Sequence, residues 1–115
     1  MVVFGDKTPA LELGGNVSRK LLVFGGEMLA TEVIFKKGSV GAMHSHPHEQ
    51  IGYVLEGSFE LNINGEKSII KKGDTYYTEP NLEHGVVALE DGKLLDVFTP
   101  QREDFIKAHN TCENK

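Results

Sequence analysis

Histidines crowd into one short segment of this 115-residue chain, and imidazole is a common ligand of transition metals. Three of the five histidines lie between residues 44 and 48, while His84 lies much further along. Residues two apart on an extended strand point to the same side, so His44 and His46 can direct their rings toward one point. Gln50 follows at the start of the next predicted strand. The pattern favours a metal site over the alternative, a polar loop with surface histidines.

The remaining two histidines fit the surface interpretation better. Pro47 interrupts the strand after His46, so His48 need not share its direction. His109 lies in the C-terminal tail, where exposed side chains are common. The single cysteine, Cys112, excludes an internal disulfide and a multi-cysteine zinc site.

The composition narrows the class of protein. Hydrophobic residues make up 39% and charged residues 25%, which is typical of a soluble globular domain. The net charge of -5, without a Lys/Arg cluster, gives no electrostatic reason to bind nucleic acid or an anionic membrane. No apolar run is long enough to span a bilayer, and the N-terminus does not resemble a signal peptide. We therefore expect no membrane association and a cytoplasmic location.

The elements that must position the histidines are short strands separated by glycines. Runs rich in Val, Ile, Leu, Phe and Tyr recur at intervals that predict an all-β sandwich or barrel. The predicted strands are Lys20–Phe24, Met28–Phe35, Ile51–Glu56, Ser58–Asn64, Lys67–Lys71, Thr75–Thr78, Gly85–Leu89 and Leu94–Phe98. Asn64-Gly65 is a strong hairpin signal, because both residues tolerate positive φ. Residues 1–115 are predicted to form one domain with its barrel core at about 16–100, followed by one or two helical turns from Pro100 to Lys107.

Two spaced motifs carry a resemblance to a known family. The first runs from Gly38 to Gly57 and contains His44-Ser45-His46, three residues, then Gln50; the second runs from Gly73-Asp74 to His84. Both resemble the motifs of the cupins, although that family usually has Glu at the position of Gln50. The second motif departs further, at Glu79, Asn81 and Ala88. The resemblance implies a double-stranded β-helix, or jelly-roll barrel, that holds one divalent metal ion with His44, His46, Gln50 and His84.

The substitution of Gln50 for glutamate has a chemical consequence. Three neutral imidazoles and a neutral amide would leave a metal ion its full positive charge, which makes it a stronger Lewis acid. The ligand set is compatible with nickel, zinc, iron, manganese or copper, and the sequence does not choose among them.

The last predicted strand carries a second candidate site. Leu94, Asp96 and Phe98 share one face by the two-residue period of a strand. If that face is interior, a carboxylate lies among apolar groups, which is costly unless it has a partner or a function. The two-residue period alone does not tell which face of the strand is interior and which is exposed to solvent.

The closing segment narrows the resemblance further. Residues 96–105, Asp-Val-Phe-Thr-Pro-Gln-Arg-Glu-Asp-Phe, are similar to the end of the pectin degradation (KdgF-like) cupins, as is the segment from His44 to Gly57. That resemblance implies ring opening of 4,5-unsaturated uronate monosaccharides from pectin or alginate to the open-chain 5-keto-4-deoxyuronate. It also implies that Asp96, Phe98 and Arg102 line the active site. Asp96 would act as general acid/base, Phe98 would exclude water, and Arg102 would bind the substrate carboxylate.

Other functions share this fold, because cupins support many activities. A metal-dependent dioxygenase would consume oxygen. A sugar-binding or regulatory cupin would bind its ligand without turnover. We also expect a homodimer, since small barrels often cover edge strands by pairing.

Overall fold

Two antiparallel β-sheets make up most of the computed structural model, which describes residues 1–113 and the side chains as far as Asn110. In chain order the strands are β1 (Leu11–Gly14), β2 (Val17–Gly25), β3 (Met28–Phe35), β4 (Val40–His44), β5 (Glu49–Glu56), β6 (Ser58–Ile63), β7 (Glu66–Lys71), β8 (Thr75–Thr78), β9 (His84–Ala88) and β10 (Gly92–Thr99). A 3-10 turn (Gly5–Lys7) precedes them, and a helix, α1 (Glu103–Glu113), follows. The predicted all-β class is confirmed.

The sheets enclose one hydrophobic core. The larger sheet has the strand order β1-β2-β3-β10-β5-β8, and the smaller has the order β4-β9-β6-β7. Buried side chains from both sheets meet between them, among them Phe35 and Val54 of the larger sheet and Phe59 and Val86 of the smaller. Phe35 and Phe59 pack edge to face at 5.2 Å between ring centroids, a favourable geometry for aromatic pairs.

All eight predicted strands are present, with ends shifted by a few residues. The Asn64-Gly65 hairpin is also confirmed, with φ of 52° and 90° at its two residues. Two strands, β1 and β4, were not predicted, because β1 is a short edge strand that ends in glycine and β4 is poor in β-branched residues. Helix α1 begins three residues after Pro100 and extends beyond Lys107, so the predicted helical bounds were wrong.

No helix within residues 1–113 has the length and apolar character needed to cross a membrane.

Candidate metal centre and adjoining cavity

Three histidine rings converge between the sheets, and each is held by a backbone carbonyl close to it in sequence. The Nδ1 atom of His44 lies 2.8 Å from the Ala42 carbonyl oxygen. The same atom of His46 lies 2.9 Å from the carbonyl oxygen of His48, and that of His84 lies 2.9 Å from the carbonyl oxygen of Leu82. A carbonyl can only accept, so each Nδ1 must carry the proton and each Nε2 is left with a free lone pair.

These lone pairs form a donor set that fits a metal cation. One nitrogen from each of His44, His46 and His84 lies within 4.8 Å of the other two. The Nε2 atom of His84 is buried without a hydrogen-bond partner in the described part of the chain. Gln50 Oε1 lies 3.1 Å from His46 Nε2. Both atoms are acceptors, so their close approach is unfavourable without a cation that both can bind. Backbone carbonyls that fix the far side of the imidazoles are typical of metal-binding histidines.

The protonation state of the buried histidines suits the same role. Burial, followed by the positive charge of Arg102 and by His84, lowers the pKa of His46 to about 4. Burial also lowers the pKa of His84. Both rings are therefore neutral near pH 7, and a metal ion would not compete with a proton for them.

The elements position the four predicted ligands by different routes. His44 ends β4 and lies opposite His84, the first residue of β9, in the strand register. Gln50 lies near the start of β5. His46 lies beyond the end of β4, so the expectation that His44 and His46 project from one strand was wrong. The loop nevertheless turns the His46 ring back toward His44, with 5.5 Å between ring centroids.

A cavity of about 290 Å³ adjoins the histidines and extends between the sheets. Three of the histidine-site residues line it, His44, Gln50 and His84, as do the three residues singled out in the closing segment, Asp96, Phe98 and Arg102. The fold therefore brings two segments that are far apart in sequence to one cavity.

Asp96 points into this cavity and is 7% exposed, which decides the question that the strand period left open. Gln50 Nε2 donates a hydrogen bond of 2.9 Å to Asp96 Oδ1. The hydroxyl of Tyr76 donates a second bond of 3.1 Å to the same oxygen. Burial raises the pKa of Asp96 to about 6, even though these two bonds favour the carboxylate.

Tyr76 was not predicted as a site residue, and Gly52 explains how it reaches Asp96. Gly52 of β5 lies between Asp96 of β10 and Tyr76 of β8 in the strand register. A Cβ atom built on Gly52 would lie 2.1 Å from the Tyr76 ring, so only glycine lets the ring cross this strand. The glycine in Ile51-Gly52-Tyr53 interrupts an otherwise regular strand, and that was the available signal.

Arg102 also lines the cavity and is buried, with 8% of its surface exposed. Its Nε and Nη2 atoms both donate to Asp104, at 3.1 and 2.9 Å. Its guanidinium carbon lies 4.9 Å from the Phe98 ring centroid and 3.9 Å from that of Phe105. Burial raises the pKa of Asp104, but the bonds and charge of Arg102 outweigh it and the pKa is lowered.

Phe98 lies between the histidine cluster and the aromatic ring that packs on Arg102. Its ring packs edge to face against His46 at 5.5 Å and against Phe105 at 5.6 Å between centroids. This position, with 3% of the residue exposed, is consistent with a wall that excludes water.

His48 and His109, which the sequence analysis assigned to the surface, differ in how far they are buried. His48 is half-buried beside His46 and lines a separate shallow pocket near Pro100. His109 is 4% exposed, so its assignment to an exposed tail was wrong. Its Nε2 accepts a 3.2 Å hydrogen bond from Nε of Arg19, a cavity-lining residue of β2 that the sequence analysis did not identify. Helix α1 carries His109 back against β2, a contact that no local pattern predicts.

Comparison with known proteins places these features in a family. Residues 31–98 match the family model for the cupin domain. The chain is 47% identical over 103 residues to the pectin degradation protein KdgF of Dickeya dadantii, covering 88% of this chain and 94% of that protein.

Solved structures agree with this placement. The structure of KdgF from Halomonas sp. superposes with a TM-score of 0.88 at 34% identity, covering 91% of this chain and 97% of that one. An RmlC-like cupin from Shewanella frigidimarina superposes with a TM-score of 0.87 at 38% identity, covering 90% and 94%.

Proposed function

This chain belongs to the cupin family and, within it, to the group of the pectin degradation protein KdgF, and on that premise we propose that it opens the ring of 4,5-unsaturated uronate monosaccharides. The observation that carries the proposal is the cavity that joins the histidine cluster to a buried carboxylate and a buried guanidinium. The product is the open-chain 5-keto-4-deoxyuronate, and the reaction is an isomerisation.

The proposed metal ligands are His44, His46, His84 and Gln50. When bound, a divalent transition metal ion would supply a Lewis acid that stabilises negative charge on an oxygen of the substrate. The unpartnered Nε2 of His84 and the facing acceptors of His46 and Gln50 support this assignment.

The bond changes in the substrate balance without any other reactant. The hemiacetal hydroxyl at C1 loses its proton, the bond between C1 and the ring oxygen breaks, and C1 becomes an aldehyde. The electron pair released to the ring oxygen forms the C5 carbonyl, while the electron pair of the former C4–C5 double bond forms a C4–H bond with a proton from the general acid. One group that first accepts a proton and then donates one is sufficient.

Asp96 is the proposed proton carrier. Its carboxylate lines the cavity and lies beside Gln50. Both hydrogen bonds that Asp96 accepts within the described residues end on Oδ1, which leaves Oδ2 for the substrate. Tyr76 and Gln50 thus hold the carboxylate in place, as a general acid/base requires.

Arg102 and Phe98 are the proposed positioning groups. Arg102 retains its Nη1 atom and the second Nη2 proton for the substrate carboxylate, because Asp104 engages the Nε side of the guanidinium. Phe98 covers the space between Arg102 and His46 and excludes water there.

The test is to incubate protein loaded in turn with nickel, zinc, iron(II), manganese or copper with unsaturated galacturonate made by lyase digestion. Loss of ultraviolet absorbance from the conjugated double bond should exceed the uncatalysed rate, and NMR should show the open keto acid. Oxygen uptake during the reaction would indicate a dioxygenase, and binding without turnover would indicate a sugar-binding cupin. Either result would contradict the proposal.

We also propose that the protein forms a homodimer through the outer face of β5 and β8. Ile51 and Tyr77 are opposite each other on this face and are 54% and 51% exposed, and Tyr53 beside them is 40% exposed. Light scattering after size exclusion should give twice the mass of the chain, and the Ile51→Glu variant should give the monomer mass.

A further inference from the structure

Arg19 is a buried cation that lines the cavity and makes no ion pair within the described residues, although the charge of Asp104 acts on it from a distance. It is 9% exposed and lines the cavity together with Asp96 and Arg102. Its one hydrogen bond to residues 1–110 joins Nε to His109 Nε2, and neither Nη atom has an acceptor among those residues. These N–H groups are therefore free to donate to a ligand in the cavity.

Arg102 provides the contrast within the same cavity. Asp104 binds it through two nitrogen atoms, so its charge is largely compensated. Both guanidinium carbons lie against the ring of Phe105, at 3.7 Å for Arg19 and 3.9 Å for Arg102. Burial and the neighbouring charge of Arg102 lower the pKa of Arg19, and the charge of Asp104 opposes them only in part. An anion near both groups would relieve this repulsion.

We propose that Arg19 is a specificity-determining residue that binds the carboxylate of the sugar, sharing it with Arg102. This inference rests on the proposed function for the identity of the ligand, a monosaccharide acid. Arg102 orients the carboxylate, and Arg19, which is not held in an ion pair, supplies the positive charge that makes an acidic sugar preferable to a neutral one. His109 and Phe105 of α1 are positioning residues, since they hold the guanidinium by its Nε atom and by its face.

A purely structural role is the competing explanation, in which Arg19 only anchors α1 against β2. The structural role and the carboxylate-binding role predict different effects on the binding of charged and neutral sugars. An anchor contributes to stability and has no preference between charged and neutral sugars, whereas a carboxylate-binding group affects acidic sugars alone.

The experiment compares binding of D-galacturonate and its neutral counterpart D-galactose by calorimetry, with metal-loaded and chelator-treated protein. The parent should prefer galacturonate in both forms. Arg19→Gln should lose about 10- to 100-fold in galacturonate affinity, the range expected for charged hydrogen bonds, and leave galactose affinity unchanged. Arg19→Lys should retain part of the preference, because it keeps the charge but not the planar fork. The KM for unsaturated galacturonate should rise in the same order, with a smaller change in kcat.

Lys93→Gln is the matched control, because it removes one positive charge from a half-buried side chain of β10 that pairs with Glu56 at 3.9 Å and does not line the cavity. It should leave both affinities unchanged. Equal galacturonate affinity in the parent and folded Arg19→Gln would overturn the proposal. So would equal losses for both sugars with a lowered Tm, because that pattern indicates an anchor. If Arg19→Gln does not fold, an unchanged galacturonate preference in Arg19→Lys, which lacks the fork, would overturn it as well. Failure of the parent to open unsaturated galacturonate would contradict the proposed function alone, since sugar binding is measured without turnover.

Discussion

The two ends of the cavity are built in opposite ways. At the histidine end, each imidazole is held by a carbonyl only two residues away along the chain. At the guanidinium end, Arg19 contacts His109, which is 90 residues away. The first end depends on local backbone geometry, and the second depends on helix α1 lying against β2.

This difference separates two kinds of task. Metal ligands must be neutral donors with fixed directions, and short local hydrogen bonds achieve this wherever the two sheets bring the strands together. Substrate-binding groups must match one ligand, and here Arg19 of β2 and Arg102, just before α1, are both held by contacts with side chains of that helix. We therefore expect substitutions at the histidine end to abolish chemistry and substitutions at the guanidinium end to change preference.

The largest effect is expected for the double variant His44→Ala, His46→Ala. Removing two of four ligands should reduce bound metal from about one ion per chain to a trace and abolish turnover, because two remaining donors hold a divalent ion poorly. Metal content is measured by plasma mass spectrometry on protein whose fold is checked by circular dichroism. A double variant that retains the parent's metal content would show that the ligands are misassigned.

Asp96→Asn should have the next largest effect, although it lies between the two ends. Asparagine keeps an oxygen that can accept from Gln50 and Tyr76 but cannot carry a proton in the same way. We expect a folded protein with normal metal content and a kcat lower by about 10²- to 10⁴-fold. Turnover at the parent's rate would exclude Asp96 as the proton carrier.

Smaller losses are expected where the support of Asp96 is altered. Tyr76→Phe removes one of the two hydrogen bonds that Asp96 accepts. It should lower kcat by about tenfold, which corresponds to the free energy of one buried hydrogen bond. Gly52→Ala should displace the Tyr76 ring, because the added Cβ would overlap it. Single-turnover rates should fall in both variants, and combining them should add little, since both break the same contact. If the losses in the two single variants add fully in the double variant, the effect of Gly52→Ala does not come from displacing the Tyr76 hydroxyl.

Arg102→Lys should give the smallest effect on turnover if Arg19 supplies most of the anion attraction. Lysine keeps the charge but loses the pair of bonds to Asp104 and the flat contact with Phe105. We expect the KM for unsaturated galacturonate to rise several-fold, and Arg102→Ala to raise it by about 10- to 100-fold. If neither variant changes KM, the pair of Arg102 with Asp104 has only a structural role, and the guanidinium end does not bind the substrate carboxylate through Arg102.

Much of the barrel and the histidine end could be predicted from the sequence because their signals are local. Alternating strands, the Asn64-Gly65 turn and the spacing of His44, His46 and Gln50 each depend on residues that are close together. His84 was a candidate as the next histidine along the chain, and the family resemblance then gave it a place in the ligand set and assigned roles to the residues of the closing segment. The side of β10 that faces the core was not determined by its period, since Asp96 could have pointed either way.

The tertiary structure alone decided which polar groups meet inside the barrel. Tyr76 reaches Asp96 because β5 lies between their strands and carries glycine at the crossing point. Arg19 and His109 meet because α1 packs on β2, and such pairing between distant segments leaves no periodic pattern in the sequence. The physical reason is that strand and turn preferences act over a few residues, whereas burial of a charge is decided by everything that packs around it.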